Sequence, residues 1–455
     1  MSFALGPSFT ALILASGFLV LGLSRPLYAA PYAAALVLLL SVSAVGRLFR
    51  SPEAVARSDR GRSGFRRLAL ATGFCCYVLF VAIVLFQVSG ALYLISTDAP
   101  LPPENYAGFN LNLTIFIPLA NLLLIYSGYQ QVHRRRDFEH FLKTYVLAIS
   151  VIWHLSFLIW LIEDNAVLFH YSEWSSSVFS GPLINANHAA LITTIAAAYY
   201  ALQLIDMAAL SSRVMTFNRR AFLYVAQVLI FAYYSLTSGS QMMYLVFFLI
   251  SAIIFVYALP ARARNYLLIL SASGFLILAI AYFSILLGAD EHLVPVASVQ
   301  DRQIIARETI ALIMERPWLG YGTGSAYSVL LGRSIEAIPD LIFTSAHSYY
   351  LDFLLQYGVL GFIAAFLGVF AIPMACWIAF NRGARLVSPL GLFIWILWLA
   401  LLISSLSDFG LAIPAISMLL CFLTGAIYRL FIQEGAPVTL LDDEVAPSPR
   451  RRRTG

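Results

Sequence analysis

Twelve stretches of this chain are long and apolar enough to cross a lipid bilayer, and no other feature narrows its possible folds so far. They are residues 8–23, 27–46, 68–90, 112–129, 144–162, 187–206, 221–237, 241–258, 266–287, 358–380, 388–405 and 412–430. A hydrocarbon layer about 30 Å thick is crossed by roughly 20 residues of helix, and only a helix or a closed barrel can satisfy its own backbone polar groups there. An ordinary soluble enzyme is excluded, because 61% of the residues are hydrophobic and 11% charged. So few polar side chains cannot cover that much apolar surface. The expected fold class is all-α: a polytopic integral membrane protein of about twelve transmembrane helices, forming one membrane domain over 1–455. The first stretch is expected to stay in the membrane rather than be cleaved, since no basic segment precedes it and another apolar stretch follows at once.

Arginine sets the orientation almost alone, since Lys143 is the single lysine among 28 basic residues. Alternate connections hold 23 of them, at 47–67, 130–143, 207–220, 259–265, 381–387 and from Arg429 onward. The positive-inside rule makes that side cytoplasmic and puts both termini there. The tail at 432–455, with its run Arg450 to Arg453, is expected to be disordered and to face lipid headgroups rather than nucleic acid. On the outer side stand Arg25, Arg302, Arg307, Arg316 and Arg333, the last four in one connection, 288–347. Cys75, Cys76, Cys376 and Cys421 all fall within apolar stretches, so no outer disulfide framework, haem motif or zinc spacing is present.

Twelve spans with both ends inside also describe many secondary transporters. That alternative predicts internal repeats and ionisable groups at mid-membrane, whereas the large connection here divides the spans nine to three. His154, among Trp153, Phe157 and Trp160, is expected to be a packed interior residue rather than a proton relay.

The outer connection shows helical apolar spacing at Ile305, Ile310, Ile313 and Met314 within 299–315, and Pro317 should end that helix. A glycine-rich turn follows, Trp318 to Ser325, with backbone amides that could face an anion. Farther on, His347 precedes Tyr350, Leu351, Leu354 and Leu355, the pattern of a short amphipathic helix at the membrane surface ahead of Gly358.

These residues resemble the O-antigen ligase family, whose signature is a histidine, then Asn, Ser or Gln, nine residues, and Gly-x-x-Gly. His347, Ser348, the nine residues Tyr349 to Tyr357, and then Gly358 and Gly361 match it without a gap. Asp301-Arg302 through Arg316-Pro317 to Gly324 is similar to the family's arginine helix and Pro-Leu-Gly-x-Gly turn. Phe179 to Ala189, which contains Asn187 and His188, is similar to its Gly…Asn-x-Asn stretch. Gln241 stands where the family's Ser-Arg-Gly turn usually has arginine. The resemblance covers about 110–430. It implies a class C-like glycosyltransferase architecture that works without metal or cofactor and inverts the anomeric centre. It also implies a bacterial inner membrane setting with the active site on the periplasmic side.

There the donor must arrive already activated, on a polyprenyl (undecaprenyl) diphosphate, and the acceptor is a glycan or lipid A core. Repeat-unit polymerisation for surface or exopolysaccharide uses the same chemistry, and a flippase for the same lipid without catalysis is the alternative from another class. The departing diphosphate needs either a metal or guanidinium groups. The acidic pairs Asp290-Glu291 and Glu163-Asp164 are sequence neighbours that do not converge on one ion, which leaves arginine. Arg302 is the first choice for the clamp and Arg307 the second. Arg316, fourteen residues from Arg302 and so nearly on the same helix face, either joins them or pairs near Asp301 or Glu315. His347 is the candidate base. Gln241, Asn187, His188 and Ser348 are candidate substrate contacts, with capping of the next span the other possibility for Asn187 and His188.

Overall fold

The computed structural model describes residues 6–18, 32–40, 64–96, 111–162, 166–167, 170–175, 179–183, 185–210, 219–238, 240–258, 297–331, 345–381, 388–408 and 413–433, with the single positions 273 and 411. Helices dominate: α1 Pro7–Ser16, α2 over 32–40, α3 Gly64–Ser96, α4 Leu111–Gln131, α5 Arg135–Ile162, α6 Ala186–Leu210, α7 Arg219–Leu236 and α8 Gln241–Ala258. Then come α9 Ala297–Glu315, α10 Ala326–Leu331, α11 Tyr349–Phe366, a π-helical turn Leu367–Ala371, α12 Ile372–Asn381, α13 Pro389–Ser407 and α14 Pro414–Gln433. Between α5 and α6 lies one small antiparallel hairpin, β1 Ala166–Val167 with β2 His170–Ser175.

Among the described residues six helical segments have the length and hydropathy to cross a membrane: Arg66–Val88, Arg135–Ile162, Ala186–Met207, Tyr349–Asn381, Pro389–Leu406 and Pro414–Ile432. Pro7–Ser16 and Met243–Ala258 are shorter apolar helices. The chain is a polytopic all-α membrane protein. Of the twelve expected stretches, 266–287 lies outside the described residues apart from position 273, as do Arg25, Arg333 and the tail beyond 433.

The helix starts follow local chemistry. Ser388 caps α13, its side chain accepting the Gly391 N–H at 3.0 Å, and Pro389 fills a first-turn position where no N–H is needed. Ahead of α5 the Asp137 carboxylate accepts the N–H groups of His133 and Arg134 at 3.0 and 2.9 Å. Packing between spans relies on small residues, because lipid supplies no hydrophobic force to press helices together. α4 and α14 cross where Gly128 meets the Phe422 carbonyl and Gly425 meets the Ile125 carbonyl, and a Cβ at either glycine would overlap the facing backbone. Thr424 and Tyr428 of α14 donate to the Val369 and Gly368 carbonyls of the π-helical turn at 3.2 and 3.1 Å. His154 is a packed residue as expected, held by Gln227 Oε1 at 2.9 Å and the Tyr234 hydroxyl at 3.2 Å.

The two ends of the bundle collect the residues that the arginine pattern assigns to opposite sides. At one end Arg429 stacks over Tyr129 and Arg66 over Phe431, while Arg135 pairs with Glu139 at 3.0 Å. At the other meet Gln87, the 185–188 segment, the turn after α9, the 345–358 segment and Asp408.

Candidate active site

The described part of the long connection after α8 folds together with the start of α11 around an apolar core. Ile305, Ala306, Leu312 and Ile313 of α9 bury against Tyr321, Ala326, Val329, Leu330, Ala346, Leu351 and Leu355. α9 ends at Glu315, two residues before Pro317. Met314 departs from the expected apolar stripe: it is 71% exposed, because the buried face runs through 305, 306, 309, 312 and 313.

The turn after α9 docks onto a break in α11. At Gly358 the backbone has φ 63° and ψ −173°, a combination open essentially to glycine, so α11 opens with a short rim helix, 349–357, and resumes as a helical run that continues through the π-helical turn and α12 to Asn381. The freed N–H groups of Val359 and Leu360 donate to the carbonyls of Pro317 and Trp318 at 2.8 and 3.2 Å. In return Tyr321 and Gly322 donate to the carbonyls of Leu355 and Gln356 at 2.9 and 3.0 Å. A Cβ at Gly320 would lie 2.6 Å from the Gln356 backbone, and one at Gly358 would overlap Trp318. The two motif glycines therefore let two backbones touch. The side chain of Gln356 accepts from the Gly324 N–H at 2.8 Å, and Gln87 of α3 donates to the Leu319 carbonyl at 2.7 Å.

That docking corrects two expectations. The amides of Gly320, Tyr321, Gly322 and Gly324 are used within the protein, Gly320 donating to the Arg316 carbonyl, so those four do not form an anion nest. Arg316 lies past the last residue of α9 and does not share a helix face with Arg302. Its guanidinium stacks 4.6 Å from the ring centroid of Tyr321, whose hydroxyl donates to Glu315 at 2.7 Å. Arg307 is exposed on α9, away from the buried stripe, and Arg302 stands five residues earlier in the same helix.

At the opposite end of the rim helix sits His347, with φ 51°, the one non-glycine positive φ among the described residues. Ala346 and Ser348 on either side are buried at 3% and 2% exposure, while His347 itself is half-buried. Ser348 is the N-cap of α11 in extended backbone conformation. Three amides of this turn are tied down: Ala346 to Asp352 Oδ1 at 2.8 Å, His347 to Ser345 Oγ at 3.1 Å, and Tyr349 to the Asp408 carbonyl at 3.2 Å.

Asp408, just past α13, also gathers the 185–188 segment. Its carboxylate accepts from Asn187 Nδ2 at 2.8 Å and lies 3.1 Å from His188 Nε2. The cap of α6 is Asn185, whose Oδ1 accepts the Asn187 N–H at 2.8 Å. Asn187 and His188 thus both bond to Asp408; His188 is 5% exposed and held against a buried acid, while Asn187 is half-buried. Gln241 begins α8 after a turn capped by Ser240 and stands at the same end of the bundle. Among the described residues no three His, Cys, Asp or Glu side chains are grouped to hold a metal ion.

Sequence reasoning missed Asp352, Asp408, Ser345, Gln356 and Gln87. Both acids are solitary, whereas acidic pairs were weighed as metal ligands; an acid isolated at the outer end of an apolar stretch was the available signal.

What fold and site define is a multi-pass membrane protein that presents one histidine at an end of its bundle, from a turn pinned by two buried acidic residues. Residues 225–366 match the family model described as O-antigen ligase. The match takes in α8, the whole α9 unit, His347 and both motif glycines, and it supports an O-antigen ligase or polymerase-like family for this chain. Proteins of that family are glycosyltransferase-like ligases and polymerases. No curated protein matches the chain.

Proposed function

We propose that this chain transfers a glycan from a polyprenyl diphosphate carrier to a glycan or lipid A core acceptor, at the periplasmic face of a bacterial inner membrane, by metal-independent inverting chemistry. The observation that carries this proposal is the presentation of His347, half-buried between two fully buried neighbours, at the end of the bundle that holds the folded outer unit. His347 takes the proton from the acceptor hydroxyl as that oxygen attacks the anomeric carbon. The bond from sugar to phosphate breaks, and the negative charge gathers on the departing diphosphate, where fixed guanidinium groups stabilise it. Arg302 is best supported for that role. Position 302 lies on the stripe of α9 that continues through 305, 306 and 309, and Ile305 and Ala306 share a buried cluster with Ala346, beside His347. Arg307 is exposed on another face, and Arg316 sits at the far end of a rim helix that spans roughly 12 Å at about 1.5 Å per residue. Ligase and polymerase forms of the reaction differ in the acceptor and use the same residues.

The test is bond formation in proteoliposomes, with lipid-linked glycan extracted from the host membranes as donor. Transfer is expected to persist in excess chelator, and activity that disappears in chelator and returns with Mg²⁺ or Mn²⁺ would refute the arginine clamp. Movement of the lipid across the bilayer with no new glycosidic bond would identify a flippase instead.

Orientation makes a separate prediction. A reporter fused within 297–331 is expected to read periplasmic, and one after Arg385 cytoplasmic, because 23 basic residues lie on one side and five on the other. The reverse pattern would put His347 and the donor diphosphate in the wrong compartment.

A further inference from the structure

We propose that Asp352 is a positioning residue for His347, acting through Ser345; this rests on His347 as the base of the reaction proposed above. Asp352 lies in the first turn of the rim helix, yet its carboxylate is spent on residues ahead of that helix. Oδ2 accepts the Ser345 hydroxyl at 2.6 Å and Oδ1 accepts the Ala346 N–H at 2.8 Å. With its hydrogen committed to Asp352, Ser345 Oγ turns a lone pair to the His347 N–H at 3.1 Å. The acid therefore holds two consecutive amides, one directly and one by relay, that of Ala346 and that of His347 itself, whose φ of 51° no ordinary helix cap would impose.

Two features separate this clasp from a helix cap. The side chain of Ser348, the N-cap itself, makes no capping hydrogen bond, so the acid is not the partner in a reciprocal cap of the helix. Asp352 is also 9% exposed, and a carboxylate so withdrawn from water costs stability unless its hydrogen bonds are complete. Those bonds all serve the turn. On its other side the turn is fixed by the Tyr349 N–H on the Asp408 carbonyl, so the backbone of His347 is held from both ends while its side chain is left half-exposed. A base must meet the acceptor hydroxyl within hydrogen-bond reach, and a misplacement of about 1 Å typically costs about 10²-fold in rate.

The test uses membranes with matched protein levels and the extracted lipid-linked glycan as donor, comparing Asp352→Asn, Ser345→Ala, Ser345→Thr and the Asp352→Asn/Ser345→Ala double variant. Asp352→Asn and Ser345→Ala are each expected to lower kcat by about 10- to 100-fold while KM for the donor stays within about twofold. Ser345→Thr keeps the hydroxyl and is expected to stay within about threefold of wild type, and the double variant should be no slower than the worse single, because both remove one relay. Multiplying effects in the double variant, a rise in KM with kcat unchanged, or near-normal turnover of Asp352→Asn would each overturn the proposal. Should Asp352→Asn fail to accumulate, the contrast between Ser345→Ala and Ser345→Thr decides the same point. His347→Ala separates the two levels: an active His347→Ala defeats the base itself, whereas an inactive one beside a normal Asp352→Asn defeats only the positioning role.

Discussion

His347→Ala is expected to slow glycan transfer by about 10² to 10⁴-fold and to leave capture of the lipid-linked donor nearly unchanged, because a general base contributes in the transition state and not to donor binding. The backbone of the turn should persist in the variant, since the amides around residue 347 are held by Asp352, Ser345 and Asp408. Arg302→Lys is the companion. It keeps the charge but loses the paired fork, and a clamp on diphosphate oxygens should be badly impaired by it. Arg136→Ala, exposed at the opposite end of the bundle in the first turn of α5, should change neither step. Near wild-type transfer by His347→Ala would return the histidine to a residue that merely heads the rim helix.

The second large effect belongs to Gly358. Gly358→Ala should detach the α9 turn from α11, since the new Cβ would overlap the Trp318 backbone at a φ of 63° and ψ of −173°. Backbone strain of that kind costs about 1–3 kcal/mol before any clash is counted. Amide exchange reports the event directly: Val359 and Leu360, which donate to the Pro317 and Trp318 carbonyls, should lose protection, and transfer should fall with it. Gly322→Ala is the calibrating variant. Its φ of 108° is equally unsuited to alanine, but nothing lies within 4 Å of the added carbon, so strain alone is tested. Equal behaviour of the two variants would mean that the close contact of the backbones at Gly320 and Gly358 contributes nothing.

The same glycines show how a motif can be legible while its purpose is not. Gly358 and Gly361 were visible as a spaced pair, and Gly320, Gly322 and Gly324 as a turn able to hold an anion. Gly322 and Gly324 instead donate to the carbonyl and side chain of Gln356, more than thirty residues away, while Gly320 and Gly358 let the two backbones approach. Arg316 met a similar fate. Helical spacing aligned it with Arg302, but the helix stops one residue before it, and a guanidinium beyond the last turn stacks on the nearest ring instead.

The solvent and the class were legible along the chain, in apolar stretches of bilayer length, as were a helix ended by Pro317 and His347 ahead of a short helix. Each of these depends on a residue and its near neighbours, or on composition summed over one segment, and is therefore readable along the chain. What holds the histidine depends on contacts between distant segments. Asp408 lies 220 residues from His188 and bonds it, and Asp352 turns back from its own helix to Ser345 and Ala346. A solitary acid at the end of an apolar stretch carries no partner in its spacing. Its buried oxygens must be satisfied by whichever donors packing brings within hydrogen-bond reach, and that is settled when the helices assemble.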